Sequence, residues 1–160
     1  TGLLNAFLTK MGLPACGFLT DPKTAMNSII FMSAWQAAGY QMMIFLAGLQ
    51  AIPGDQYEAA SIDGANGFQK FRYMTLPLLK PIILFTTINS TIGTLQLFDE
   101  PMNITQGGPA NATITISQYI YNLLFKYQPN FGYAAAVSYV IVVLIVLLSF
   151  IQMKVGDKDE

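Results

Sequence analysis

Charge is absent from three long stretches of this sequence, and that absence decides its fold class before any motif is read. No Asp, Glu, Lys or Arg lies between Lys23 and Asp55, between Lys80 and Asp99, or between Lys126 and Lys154. Within these gaps Ile29–Leu49, Pro81–Phe98 and Ala134–Met153 are mostly apolar, the last reading AAAVSYVIVVLIVLLSFIQM. A helix rises 1.5 Å per residue, so about 20 apolar residues cross a hydrocarbon core of about 30 Å. Three helices apolar on every side would leave a soluble chain of this size little polypeptide to cover them. The expectation is an all-α, polytopic membrane helical bundle with about three transmembrane helices, near 26–50, 79–99 and 133–153, in a single domain over 1–160.

The charged share is 11%, eight Lys/Arg against nine Asp/Glu, less than half of the roughly 25% usual in soluble domains. Disorder, which needs high charge and low hydrophobicity, does not fit. Nor does a nucleic-acid partner, which needs a basic face. There is no His and one Cys, Cys16, so disulfide frameworks, Cys/His zinc sites and His-based acid–base catalysis are excluded and no metal site is expected. Thr at position 1 reads as a processed or truncated piece of a longer chain. The first residues lack a basic region followed by an apolar core, so they do not read as a secretory leader.

The segment 100–132 is uncharged except for Glu100 and Lys126, yet different in kind. Asn103, Thr105, Gln106, Gly107, Gly108, Pro109, Asn111, Thr113 and Thr115 make it polar, and Gly-Gly-Pro cannot continue a helix. It reads as a loop followed by a short amphipathic helix around Ser117–Tyr127. Lys70, Arg72, Lys80, Lys154 and Lys158 fall on one side of three spans, and Lys10, Lys23 and Lys126 on the other. This five-to-three excess places 51–80 and 154–160 in the cytoplasm and 1–25 and 99–132 outside.

The loop 54–81 carries the sharpest pattern. Pro53-Gly54 stops the first span, Asp55 is placed to cap a new helix, and Glu58 is placed to reach back as a capping box. The short helix presents Ala59, Ala60, Ile62 and Ala65 before Gly64 and Gly67 break it. Periodicity alone favours a capped linker between two spans, because capping boxes are common. The alternative is a small-faced, acid-started helix shaped to dock into a groove.

Tyr57-Glu58-Ala59-Ala60-Ser61-Ile62-Asp63-Gly64-Ala65, followed by Leu76-Pro77 and Pro81, resembles the EAA loop of binding-protein-dependent ABC transporter permeases. Gly48-Leu49-Gln50-Ala51-Ile52-Pro53, Thr105-Gln106-Gly107-Gly108-Pro109 with Thr113, and Phe131-Gly132-Tyr133-Ala134-Ala135-Ala136 with Ser138 resemble the same proteins, in their carbohydrate (maltose-type) branch. The resemblance covers nearly the whole chain. It implies the C-terminal part of a type I importer permease core in a bacterial cytoplasmic membrane. It further implies a short cytoplasmic helix that sits in a cleft of an ABC ATPase subunit, here Glu58, Ala59, Ala60, Asp63 and Gly64. A second permease subunit and an extracytoplasmic sugar-binding protein would complete the assembly. The chain has no G-x-x-x-x-G-K-[ST] loop, and Gly107-Gly108-Pro109 lacks the Lys. No cofactor is therefore expected on it, and ATP is assigned to the partner ATPase.

Ser33, Gln36, Ala37 and Tyr40 share one face of the first span, and Thr86, Asn89, Ser90, Gly93 and Gln96 one face of the second. Small polar residues at membrane depth are ordinary in helix packing. Gln36, Asn89 and Gln96 cost more to bury and point to a lined path. Their amides, with the Tyr40 ring, suit sugar hydroxyls and ring faces. In the maltose-type permeases the spans flanking the EAA loop contribute to the sugar site, which the resemblance carries to Ser33, Gln36, Ala37, Tyr40, Ile92 and Gly93. Tyr119, Tyr121, Phe125, Tyr127, Phe131 and Tyr133 are divided between packing of an external helix and contact with a binding protein. The rival reading is a permease of the same superfamily for another solute such as glycerol phosphate, which would call for basic groups that the span interiors lack. A membrane-embedded enzyme would need Asp, Glu, His or Cys groupings there, also lacking, and a plain scaffold would not need the EAA pattern.

Overall fold

The computed structural model describes residues 2–157, and among them there is no strand. Lys158, counted above for orientation, lies outside them. The helices are α1 (Leu3–Lys10), α2 (Pro22–Gln50), α3 (Gly54–Ile62), α4 (Gly67–Leu78), α5 (Lys80–Leu95), α6 (Ile116–Tyr121) and α7 (Phe131–Asp157). Pro101–Thr105 and Asn122–Lys126 form single π-helical turns, and a third, Phe71–Thr75, interrupts α4. α2, with 29 residues, and α7, with 27, are long and apolar enough to cross a membrane. α4 and α5 pass the same test only as a pair, bent by 61° at Leu79. The bend follows from Pro77 and Pro81, which remove two helical donors and crowd the carbonyls one turn back.

Two compact units emerge, one joining the residues up to Trp35 with Gln96–Ala135, the other joining Gln36–Leu95 with the residues from Ala136. In the first, Asn5 ties α1 to the loop after it, its Nδ2 donating to Cys16 O at 2.8 Å and its Oδ1 accepting from Cys16 N at 2.9 Å. Asp21 Oδ1 accepts from Lys23 N at 2.9 Å and so caps α2. Ala25, Ile29, Thr113, Gln118, Asn122 and Ala134 are buried.

The loop after the π turn at Pro101–Thr105 is locked by hydroxyls. Thr113 Oγ1 donates to Gly108 O at 2.8 Å and shares a hydrogen bond with Thr105 Oγ1 at 2.6 Å. Gly107 has φ +89°, and a Cβ there would meet Ile114 Cγ1 at 2.7 Å, so both conformation and space require glycine. The helix expected around Ser117–Tyr127 is present: α6 is continued without a break by the π turn Asn122–Lys126, and Thr115 caps α6 by accepting from Gln118 N at 3.4 Å.

In the second unit α5 is tied to both long helices. Gln41 Nε2 of α2 donates to Ser90 Oγ, and Gln152 Nε2 of α7 to Thr91 Oγ1, each at 2.7 Å. Gly48 of α2 is buried, and a Cβ on it would overlap Ile82 Cδ1 and crowd Leu79 Cδ2 at 3.1 Å. Thr86 is buried and turns its hydroxyl onto its own helix, reaching Ile82 O at 2.9 Å.

The expected capping box at Asp55 and Glu58 does not form. Pro53 occupies the N-cap of α3 and carries no side-chain acceptor, and the helix begins at Gly54. Asp55 therefore falls inside the first turn, where its carboxylate still complements the helix dipole. The capping box sits one helix later: Asn66 Oδ1 accepts from Gln69 N at 3.0 Å and Gln69 Oε1 accepts from Asn66 N at 2.8 Å. Of the two glycines expected to end α3, Gly64 does so, with φ +80°, while Gly67 opens α4.

Candidate functional site

Two regions carry the residues singled out by sequence, and each is built differently. The first is α3 with the start of α4. Tyr57 and Ser61 lie four residues apart and so share a face. Tyr57 Oη is hydrogen-bonded to Thr75 Oγ1 at 2.8 Å, and Lys70 Nζ donates to Ser61 Oγ at 2.6 Å. Both bonds fix that face of α3 to α4. The opposite face is left open: Asp55, Glu58 and Ala59 are exposed, and Ile62 is 87% exposed.

The five residues expected to form the coupling element are therefore not equivalent. Glu58 and Ala59 stand on the free face, whereas Ala60 is half-buried toward α4. Asp63 and Gly64 are exposed at the end of α3 and, with Ala60, Ala65, Lys70 and Tyr73, line a groove of about 360 Å³. Chemically the free face offers two carboxylates beside a methyl-lined strip, in a form a basic, grooved surface can grip.

The second region is the helices expected to line a path. Ser33 and Gln96 belong to the first unit, and Gln36, Ala37, Tyr40, Asn89, Ile92 and Gly93 to the second. Ser33 turns its hydroxyl inward, buried and without a hydrogen-bond partner among the described residues. Gln36, Ala37, Asn89, Gly93 and Gln96 are exposed, Ile92 is half-buried, and Tyr40 is 60% exposed. No hydrogen bond joins Gln36, Tyr40 and Asn89 to one another among the described residues. Their amides and the Tyr40 ring stand uncommitted to internal packing.

The two remaining members of the α5 stripe are spent otherwise, Thr86 on its own backbone and Ser90 on Gln41. Sequence reasoning missed Gln41, which lies one residue beyond the chosen α2 stripe. In the second unit a groove of about 610 Å³ runs along α5, lined by Gln41, Thr86, Thr87, Ser90, Thr91 and Thr94 among others. Gln41 Oε1 is buried with no partner among the described residues. The signal in the sequence was a Gln within an uncharged apolar run, where an amide is costly unless paired.

The aromatic residues of the first unit divide. Tyr121 packs between Phe98 and Phe125, with ring centroids 5.4 and 5.0 Å away. Tyr127 and Phe131 remain exposed. The Tyr133 hydroxyl raises the Tyr119 phenol above its ordinary pKa, first as a hydrogen-bonding partner and next through the charge a second phenolate would carry. Among the described residues no three Cys, Asp or Glu side chains gather as metal ligands.

Long apolar helices, an acid-started helix beside a proline bend and uncharged polar helix faces place the described residues among helical membrane proteins. The chain is a member of the binding-protein-dependent transport system inner membrane component family, whose pattern matches residues 3–157. It is 53% identical over 155 residues to the lactose transport system permease protein LacF of Rhizobium radiobacter, covering 94% of this chain and 52% of that protein. With the trehalose/maltose transport system permease protein MalF of Thermococcus litoralis it shares 38% over 155 residues, 97% of this chain and 52% of that one. The chain thus spans about half the length of these relatives.

Its fold matches a chain of a crystallised bacterial ABC transporter involved in the import of the acidic polysaccharide alginate. The TM-score is 0.84 at 26% identity, covering 99% of this chain and 55% of that one. A second match is to the alginate transporter in complex with its alginate pentasaccharide-bound periplasmic protein, with TM-score 0.73 at 25% identity, covering 98% and 53%. The all-helical fold is that of an ABC importer permease, and the chain is an inner-membrane component.

Proposed function

We propose that this chain serves, within a longer permease subunit, to pass a sugar or oligosaccharide across the cytoplasmic membrane of a bacterium. The observation that carries the proposal is α3: a short helix held to α4 along one face, with Glu58 and Ala59 free on the other. A cytoplasmic ABC ATPase subunit grips that free face, and its nucleotide-driven closure moves α3. The spans then reopen to the opposite side, an alternating-access cycle of packed helices. A second permease subunit and an extracytoplasmic sugar-binding protein complete the transporter. ATP is bound and hydrolysed by the ATPase, and this chain performs no covalent chemistry and carries no cofactor.

The solute is read from the residue types. Gln36, Tyr40, Asn89 and Gln96 offer neutral amides and a ring, which match hydroxyls and apolar sugar faces. Ser33, Ala37, Ile92 and Gly93 are assigned to the same path. No Lys or Arg lies within α2 beyond Lys23 or within α5 beyond Lys80, which disfavours glycerol phosphate. The similarity to lactose and trehalose/maltose permeases supports a neutral saccharide.

The test uses the full-length permease with its partners in reconstituted vesicles. Glu58→Arg is expected to release the ATPase and abolish uptake, and retention of both would overturn the coupling assignment. Gln36→Leu and Asn89→Leu should weaken uptake of labelled saccharide while leaving assembly intact. Loss of assembly instead would make them packing residues.

A further inference from the structure

We infer that Tyr57 and Thr75 form the joint through which displacement of α3 reaches the bend between α4 and α5, so that Tyr57 is a positioning residue for coupling. The inference rests on the reading of α3 as the ATPase-gripped helix and adds the route by which its motion leaves it. Tyr57 is half-buried on the face of α3 that meets α4, and its hydroxyl meets Thr75 Oγ1 at 2.8 Å. Thr75 is itself 6% exposed and the bond is part-buried, which lessens the competition of water for both hydroxyls.

What makes the bond directional is the position of Thr75. It closes the π turn Phe71–Thr75, a one-residue insertion of the kind that often marks functional sites. Its carbonyl accepts from Leu79 N at 3.0 Å, and Leu79 is the residue at which α4 and α5 bend by 61°. The Leu79 side chain in turn lies against Gly48 of α2. An unbroken physical chain therefore runs from α3 through Tyr57, Thr75 and Leu79 to α2. A second side-chain link from α3, Lys70 to Ser61, is solvent-exposed and enters α4 ahead of the π turn, reaching Thr75 only through the long 3.4 Å bond that Thr75 Oγ1 donates to Lys70 O. A displacement entering there is open to absorption by the turn before it reaches the bend.

Ratios of saccharide moved to ATP hydrolysed, measured in vesicles holding the complete transporter, test this. Tyr57→Phe keeps the ring and deletes the hydroxyl, and the ratio is expected to fall about two- to tenfold, the scale of one hydrogen bond. ATPase attachment should be unchanged. Thr75→Val should match it, Thr75→Ser should stay near the parent, and the double variant should be no worse than either single one. An unchanged ratio in Tyr57→Phe, additive losses in the double variant, or detachment of the ATPase in Tyr57→Phe would each overturn the joint. These outcomes are separable from failure of the coupling reading itself. A Glu58→Arg transporter that keeps its ATPase removes the premise, whereas one that loses it beside an unaffected Tyr57→Phe removes only the joint.

Discussion

Gln41 and Ser90 stand 49 residues apart in sequence, and the Gln41 amide donates to the Ser90 hydroxyl at 2.7 Å. The bond commits Ser90 to holding α2 against α5, while its neighbour Asn89 is exposed and free. Adjacent residues of one helix thus serve different purposes, and substitution should tell them apart. Ser90→Ala is expected to lower thermal stability with little change in the apparent affinity for saccharide, and Asn89→Leu the reverse. A double-mutant cycle of Gln41→Leu with Ser90→Ala should give a coupling of about 0.6 kcal/mol, with an upper limit near 1.7. A coupling of zero means that the tie contributes nothing to stability.

Gly48 predicts a suppressor. A methyl added there collides first with Ile82 Cδ1, the mobile end of a side chain, and next with Leu79 Cδ2. Gly48→Ala should therefore cost about 1–3 kcal/mol, the usual range for overpacking. Ile82→Val deletes the very atom in conflict and should restore much of the loss in the Gly48→Ala background, although it is mildly destabilising alone. Melting of the purified transporter checks this, and equal losses with and without Ile82→Val would show that the helices do not approach here.

The contrast between Gln41 and Asn89 also shows what the sequence could convey. Charge spacing makes the long apolar helices legible because hydration of ions is a large term and no local context reverses it. The acid-and-alanine helix was legible for its composition. Its cap was not, because Asp55-x-x-Glu58 and Asn66-x-x-Gln69 offer the same spacing, and only Pro53 starting α3 at Gly54 decides between them. The stripes were legible as helical faces but not as roles. Whether a hydroxyl serves a path or a neighbouring helix depends on which face meets that helix, and Gln41, a single residue outside the stripe, claimed Ser90. The Tyr57–Thr75 bond was invisible because it depends on a π turn that shifts the register of α4.

Thr113 is expected to govern the rigidity of the loop around Gly107. Its hydroxyl serves both Gly108 O and Thr105 Oγ1 in a fully buried position. Thr113→Val preserves shape but strands Gly108 O, while Thr105 Oγ1 keeps its bond to Pro101 O, at a cost of about 1–3 kcal/mol. Thr113→Ser keeps the hydroxyl and loses one methyl, about 0.8 kcal/mol. Thermal melting should rank Val below Ser, and protease sensitivity of the loop should rise with Val alone. The opposite ranking would mean that packing of the methyl, not the hydroxyl, holds the loop.

Tyr119 supplies a pH signature. Its phenol is raised above the ordinary tyrosine value by the hydrogen bond to Tyr133, then by the charge that Tyr133 would carry, with burial and Tyr127 adding smaller contributions. The direction means that the folded protein favours the protonated phenol. The associated stability is fully present below the unfolded value of about 10 and is lost as pH rises through the higher folded value. Near-ultraviolet difference spectra of the parent against Tyr119→Phe should show the Tyr119 phenolate appearing later than a free tyrosine. Tyr133→Phe removes the hydroxyl and its charge together, so it should move that titration back toward the ordinary value. A Tyr119 titration that ignores Tyr133→Phe would assign the shift to burial or to Tyr127 and dissolve the link between α6 and the start of α7.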